Sequence, residues 1–362
     1  MFKRIASIAL SCSLIFAFSS CASKQEKQKF SETYIDYFDT VSTIVGFEGK
    51  KEDFDKNAEF IEKELEEYHK LYDIYKSYQG INNLCTVNKN AGIAPVKVDS
   101  RIIALLDECI RLYDLTGGMT NVAMGSVLSI WHGYRNDGIN DPDNAELPPM
   151  EKLIAASKHT DISKIIIDRE NSTVFLSDPD MSLDVGAVAK GYATERIALS
   201  LKEKGVMSYT LNIGGNIRTI GTKADGEKWT AAVTDPNPDS ETGYVTIVEL
   251  ADSAFVTSGS YQRFYTVDGK QYHHIIDPET LMPKNDFTSV SVYSQDSGLA
   301  DALSTALFNM SFEEGGALIA KLDGVEAMWI TDEYELLYSD GFSSIIIKTT
   351  GSTGGLLHPY KG

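Results

Sequence analysis

Leu183–Gly221 reads LDVGAVAKGYATERIALSLKEKGVMSYTLNIGGNIRTIG, and its punctuation decides the fold. An extended stretch around Leu183–Val185 runs into a glycine-flanked turn, and a helical pattern follows. A second strand then ends at Gly214-Gly215, before a further run to Gly221. Strand, glycine turn, helix, strand and glycine turn bring two backbone-exposed loops to one end of a small sheet. Phosphate-bearing ligands are commonly held by such loops.

Gly186 and Gly191 flank Ala187, Ala189 and Lys190 at the passage from strand to helix. Backbone N–H groups at a helix start carry partial positive charge, and small side chains let an anion come close. Lys190 adds a full charge. Gly214 and Gly215 again permit close backbone approach, and Asn216 offers both a donor and an acceptor. Taken singly, either turn is also what an ordinary α+β connection looks like. The Gly-x4-Gly-Lys-Ser/Thr spacing of a P-loop is absent, and so is the dinucleotide GxGxxG.

Outward from this stretch, the 362 residues are 43% hydrophobic and 23% charged, a globular composition able to bury a large core in one or two domains. The net charge of −19 argues against nonspecific nucleic-acid binding. An acidic protein that takes an anionic nucleotide needs a local positive feature or a metal ion. At the start, Lys3 and Arg4 precede an apolar run, Ile5–Phe18, of signal-peptide rather than membrane-spanning length. Phe18-Ser19-Ser20-Cys21 then looks like a bacterial lipoprotein cleavage box, with Cys21 as the acylated first mature residue; a plain secretory signal cut elsewhere is the alternative. The expected organisation is a signal peptide over 1–20, a polar tether over 21–31, a catalytic domain over 32–348 and a loosely ordered tail over 349–362. Cys85 and Cys109 remain in the mature chain, without the CxxC or His spacing of a metal site, and are read as reduced and partly buried.

Tyr34–Phe47 is rich in β-branched and aromatic residues and predicts one strand, followed by a long amphipathic helix carrying Phe54, Ile61, Leu65 and Tyr72. Tyr75–Gly92 predicts a polar loop with interleaved tyrosines and asparagines. Ile102–Tyr113 and the stretch up to Trp131 predict helices, and Asn136–Leu147 a charged surface turn. KIIID, TVFL and SLDV read as short strands before the organising stretch. KWTAAVTD, YVTIVEL, AFVTSGSYQRFYTV and YHHIIDP form a strand-rich run after it. FTSVSVYS, two helices and the strands AMWI, LLYS and SSIIIKT complete an α+β domain of mixed, largely antiparallel sheet flanked by helices.

In SGLADALSTALF, Asp301 and Thr305 stand four apart, so both leave one face of a helix a turn apart. Carboxylate plus hydroxyl is an oxygen pair suited to Mg²⁺. The plainer reading is a helix-dipole carboxylate beside a packed threonine. In HHIIDP, His274 is a candidate general base or a satisfied strand-end histidine, and the two adjacent histidines point to opposite faces, so they do not make a metal pair. Thr257-Ser258-Gly259 reads as a ligand-contacting turn, because no GxSxG elbow surrounds Ser258.

Six blocks in this order resemble the FAD:protein FMN transferases, the ApbE family of flavin-transferring lipoproteins: YFDTVSTIVGF, LDVGAVAKGYATE, LNIGGNIRTIG, VTSGSYQRF, HHIIDPET and ADALSTALF. The resemblance covers nearly the whole mature chain and implies a T-fold-like architecture. It further implies Mg²⁺-dependent cleavage of FAD, with FMN passing to a Thr or Ser hydroxyl of an exported acceptor protein and AMP leaving. Asp301 and Thr305 match the family's side-chain metal ligands, the carbonyl of Ala187 its main-chain ligand, and His274 the histidine of its HxIDP motif, expected to serve as base. Lys190 is expected to neutralise phosphoryl charge. Gly186, Gly214, Gly215 and Asn216 are expected to approach the nucleotide, and Ser258, Gly259, Ile275 and Tyr78 to line the flavin pocket. The chain departs from the family where Gly-x-Phe-Asp-x-Thr is usual, showing Thr120, Asn121 and Ala123, and where Ser-Glu-Leu is usual, showing Asn82-Asn83-Leu84. The implied setting is a lipoprotein anchored through Cys21 on the periplasmic side of the inner membrane. An FAD pyrophosphatase with the same metal site, or a lipid-anchored flavin scavenger without turnover, stand as the alternatives.

Overall fold

The computed structural model describes residues 26–237, 239–350 and 357–360; Cys21 and the leader lie outside the described residues. The chain opens with β1 (Gln28–Tyr34), β2 (Ser42–Glu48), α1 (Lys51–Tyr72), α2 (Leu84–Lys89) and β3 (Val96–Lys97). Then come α3 (Ser100–Leu115), α4 (Gly125–Asn140), α5 (Met150–Ser157), β4 (Ile165–Asp168) and β5 (Thr173–Leu176). The organising stretch supplies α6 (Ala189–Glu203), β6 (Ser208–Ile213) and β7 (Asn216–Gly221). After it run β8 (Trp229–Thr234), β9 (Tyr244–Leu250), β10 (Ala254–Gly259), β11 (Phe264–Val267), β12 (Lys270–His273) and β13 (Phe287–Ser294). The last elements are α7 (Ser297–Asn309), α8 (Phe312–Ile319), β14 (Glu326–Thr331), β15 (Leu336–Tyr338), β16 (Ile346–Thr349) and β17 (Leu357–Pro359).

Among the described residues, a nine-stranded sheet in the order β1-β2-β6-β7-β10-β13-β14-β15-β17 forms the centre, antiparallel throughout except for the final β15–β17 pair. The expected mixed, largely antiparallel sheet flanked by helices is therefore present. Alternation along its strands sends successive side chains to opposite faces. Val256, Val290, Val292 and Trp329 pack with α7 on one face, while Phe255, Tyr293, Met328 and Ile330 pack against the β8-β9-β16 sheet on the other. α1, α6 and α7 cover the first face, and α6 and α7 pack side by side. A smaller apolar cluster joins α4 and α5 to the β11–β12 hairpin.

Several local expectations fail for identifiable reasons. Tyr34–Phe47 is two strands, because Phe38 and Asp39 adopt φ of 54° and 51° and reverse the chain into an antiparallel pair. β1 starts at Gln28, inside the stretch read as tether, and pairs along its whole length with β2. The loop after Tyr75 contains α2, capped by the Asn83 side chain accepting from the Thr86 N–H at 3.1 Å. SLDV is extended but forms a single bridge, Ser182 to Met124, not a strand. The charged turn after Asn136 is partly α4, which continues to Asn140, and α5 falls in a stretch for which the sequence reading proposed no element. Thr257-Ser258-Gly259 lies within β10 and is not a turn, and the tail contributes β17 to the sheet edge. Cys85 and Cys109 are both buried free thiols.

Candidate active site

A cleft of about 560 Å³ gathers the helix face of α7, the 184–190 loop, the β6–β7 turn and the segment after β12. Asp301 lies at its wall, 4% exposed. One carboxylate oxygen accepts the Gly191 N–H at 2.8 Å and stands 4.0 Å from Lys190 Nζ. Burial pushes its carboxyl above the ordinary range, against the opposing pull of Lys190, the Gly191 N–H and the Asn216 side chain.

This arrangement depends on α6 and α7 approaching closely. A Cβ on Gly191 would collide with the Ser297 carbonyl and the Asp301 Cβ, so only glycine fits. Glu195, one turn on, accepts the Ser297 N–H at 2.8 Å and pairs with Arg218 Nε of β7 at 2.8 Å, tying α6, α7 and the sheet together below the cleft. The N-terminus of α6 is thus occupied. The N–H groups of Val188 and Ala189 bond the Val185 carbonyl, and that of Gly191 bonds Asp301. The anion expected at the helix start is the protein's own carboxylate.

Gly186 donates its N–H to Asp184 at 2.9 Å and accepts from Lys190 Nζ at 3.2 Å, which shapes the loop presenting Ala187 to the cleft. Thr305 lines the cleft a turn beyond Asp301. Carboxylate, hydroxyl and backbone carbonyl form an all-oxygen donor set, and Asn216 adds a carboxamide oxygen that is 1% exposed and unpartnered. Such donors fit a hard divalent cation. Gly214 and Gly215 adopt φ of 57° and 90°, closing the two-residue hairpin between the paired Ile213 and Asn216. No atom lies within 4 Å of the position a Cβ would take on Gly215, so bare backbone forms that part of the wall.

The two adjacent histidines divide as their alternation predicts. His273 is 3% exposed and satisfied at both nitrogens, Nε2 bonding the Lys284 carbonyl at 2.8 Å and Nδ1 accepting the Ile275 N–H at 3.2 Å. His274 faces the cleft. Its Nδ1 lies 3.2 Å from the Arg263 carbonyl, which can only accept, so Nδ1 carries the proton and Nε2 keeps a free lone pair. Burial, followed by the charges of Arg263, His273, Lys190 and Arg135, pushes this imidazole down to about 3.

Ile275 and Ser258 also line the cleft, but the Ser258 hydroxyl bonds that of Ser304 on α7 at 2.7 Å. Gly259 and Tyr78 are not among the lining residues. A Cβ on Gly259 would lie 2.8 Å from the Tyr261 ring, so that glycine makes room for an aromatic neighbour. Tyr78 buttresses from behind, donating to Asp73 at 2.8 Å and lying 3.3 Å from His69 Nε2. Tyr75 does line the cleft, and its hydroxyl lies 2.8 Å from His132 Nδ1, with the other His132 nitrogen 4.0 Å from Asp184. Although Tyr75 is 62% exposed as a whole, desolvation at the cleft and then Asp184 raise its hydroxyl to about 12, while burial lowers His132. Arg135 and Arg263 extend this wall, and burial with their mutual repulsion lowers Arg135.

Sequence reasoning missed Tyr75, His132, Arg135 and Asn309. The first three converge from segments about sixty residues apart, for which no local spacing exists. Asn309 carried a signal, since it continues the Asp301–Thr305 row by one more helical turn.

Residues 38–329 match the model of the ApbE family. A FAD:protein FMN transferase of Treponema pallidum (strain Nichols) is 34% identical over 272 residues, spanning 71% of this chain and 73% of that protein. Another, from Klebsiella pneumoniae (strain 342), is 29% identical over 280 residues, 75% of this chain and 84% of its own. The crystal structure of the ApbE protein from Thermotoga maritima matches with a TM-score of 0.77 at 26% identity, over 89% of this chain and 100% of that one. The flavin transferase ApbE from Vibrio cholerae gives 0.73 at 26%, over 88% and 99%. The matched span begins at the Phe38 turn of the cleft wall and ends in β14, so it encloses Ala187, His274, Asp301 and Thr305 together with the sheet that carries them; the chain belongs to the ApbE family.

Proposed function

We propose that this protein transfers FMN from FAD to a Thr or Ser hydroxyl of an exported acceptor protein, with AMP as the leaving group and Mg²⁺ as the required ion. The observation that carries this reading is the convergence of Asp301, Thr305 and Ala187 in one cleft with the bare backbone of Gly215, in a chain of this family. The acceptor oxygen forms a bond to the FMN phosphorus while the bond from that phosphorus to the bridging oxygen breaks, and the bridging oxygen leaves on AMP. The acceptor proton passes to His274 Nε2, whose lone pair is free because Nδ1 is held by the Arg263 carbonyl.

Asp301, Thr305 and the Ala187 carbonyl would hold Mg²⁺, which when bound neutralises charge on the phosphoryl oxygens. Asp301 would meet the ion from a buried position, where burial opposes its ionisation and Lys190, the Gly191 N–H and the Asn216 side chain favour it. Lys190 and Arg263 draw the anionic pyrophosphate toward His274. Burial depresses His274 most in the free protein, and the cations that add to it are those an incoming pyrophosphate would neutralise, so substrate binding would relieve that second part of the shift. Exposed through its leader and acylated at Cys21, the protein would work at the outer face of the inner membrane.

The deciding experiment supplies FAD, Mg²⁺ and a candidate acceptor, and counts AMP, free FMN and covalently bound flavin. AMP matched by covalent flavin is the expected result. AMP matched by free FMN, with the acceptor unmodified, would replace transfer with hydrolysis, and tight FAD binding without AMP would leave only a flavin carrier.

A further inference from the structure

The row that begins with Asp301 and Thr305 does not stop there. Asn309 follows at the same spacing, and it too lines the cleft. Its side chain is 3% exposed; Nδ2 donates weakly to the Ile276 carbonyl at 3.4 Å, and Oδ1 has no partner among the described residues. A buried acceptor without a partner costs free energy, so an unpaired oxygen in a ligand cleft marks a place where a ligand donor belongs.

The surroundings define that donor. Asn309 is the last residue of α7; its backbone carbonyl already accepts from Lys284 Nζ at 3.1 Å, so the side-chain oxygen is the acceptor left without a partner. Ile275, Ile276 and the partly buried Met119 supply apolar contact nearby, as a flat ring requires. Eight residues of helix separate Asn309 from Asp301, about 12 Å, a span that a ribose and a base extended from a phosphate can cover.

We infer that Asn309 recognises the adenine end of FAD, its Oδ1 accepting an N–H of the exocyclic amine. The inference rests on the proposed FAD chemistry and adds a specificity residue to it. An amine edge satisfies the orphan oxygen. The pyrimidine edge of the isoalloxazine fits less well, since its single N–H is flanked by two carbonyls that would bring further acceptors against Oδ1.

The test measures binding of AMP and IMP, with Mg²⁺ present, to the full chain and to Asn309→Leu and Asn309→Asp. IMP replaces the amine with a carbonyl and leaves the sugar and phosphate unchanged. The wild type is expected to bind AMP about tenfold more tightly than IMP, one hydrogen bond's worth of discrimination. Asn309→Leu should bring the two within about twofold, and Asn309→Asp, which keeps the acceptor, should retain the preference. Equal binding by the wild type would overturn the inference, as would a Leu variant that keeps the preference or one that changes FMN affinity instead. FAD cleavage by the wild type is followed in parallel. Cleavage without AMP preference would remove this inference alone, whereas neither cleavage nor nucleotide binding would remove the proposed function with it.

Discussion

The two walls of the cleft are built differently. On the α7 side, Asp301 and Asn309 are almost fully buried; the Ser304 hydroxyl bonds the Asp301 carbonyl and the Ser258 hydroxyl, and the Glu195–Arg218 pair ties α7 to α6 and β7 through the Ser297 N–H. On the other side, Tyr75 is 62% exposed and meets His132 across a loop-to-helix contact, with Arg135 beyond. Burial fixes charge and geometry where phosphorus must be attacked in line, since a fixed donor set needs no reorganisation. Exposure on the facing wall leaves room for a protein substrate to enter with its hydroxyl. The division predicts large effects from the first wall and small ones from the second.

The largest belongs to Asp301. Asp301→Asn keeps an oxygen for the Gly191 N–H but removes the charge, and should lower Mg²⁺-dependent AMP production by at least about a thousandfold while leaving the melting temperature close to wild type. Near-normal turnover would show that the buried carboxylate is structural.

His274 comes next, and the pH dependence carries the information. Removing the base with His274→Ala should cost about a hundredfold in kcat. In the free protein its ring stays neutral from pH 8 down to well below 5, so kcat/KM should lack an acid limb near the usual histidine value. In kcat, measured with anionic substrate bound, the limb should move upward. The same depression affects folding. Between about 3 and 6.5 the unfolded chain binds a proton that the folded chain refuses, so the contribution is full above that window and is lost as pH falls through it. An acid limb near pH 6.5 in kcat/KM that vanishes in the Ala variant would contradict this account.

Gly191→Ala tests the close approach itself. The added methyl must displace the Ser297 carbonyl or the Asp301 Cβ, at a cost of about 1–3 kcal/mol in urea unfolding, and should drag down metal-dependent activity with it. Full stability with full activity would mean that the two helices can separate freely.

Much of the buried wall could be read from the chain. Asp301 and Thr305 share a face by helical spacing alone, and Gly214-Gly215 announces a tight hairpin because only glycine takes positive φ there without strain. The helix start before Gly191 was legible as an anion site, but nothing local could reveal that the anion is Asp301, 110 residues away. The exposed wall was illegible for the same reason. Tyr78 and Tyr75 are equivalent in composition, and only the fold of the segment around α2 turns one ring toward Asp73 and the other into the cleft. Asn309 lay within reach of the periodicity argument, yet an asparagine at a helix end reads first as a cap.

The smallest effect should come from Tyr75→Phe. The Tyr75 hydroxyl lies within hydrogen-bond reach of His132 Nδ1, at 2.8 Å, in a largely exposed setting, where a neutral hydrogen bond contributes about 1 kcal/mol. Loss of the hydroxyl leaves the ring in place and frees His132 Nδ1 to bond water, so FAD affinity should change by less than about fivefold. With an acceptor entering over this exposed wall, transfer to it should suffer more than FAD binding. The measurement is KM for FAD beside KM for acceptor in the same variant. A rise in KM confined to the acceptor would establish the exposed wall as the protein-docking side, and a loss of turnover as steep as that of Asp301→Asn would erase the distinction between the two walls.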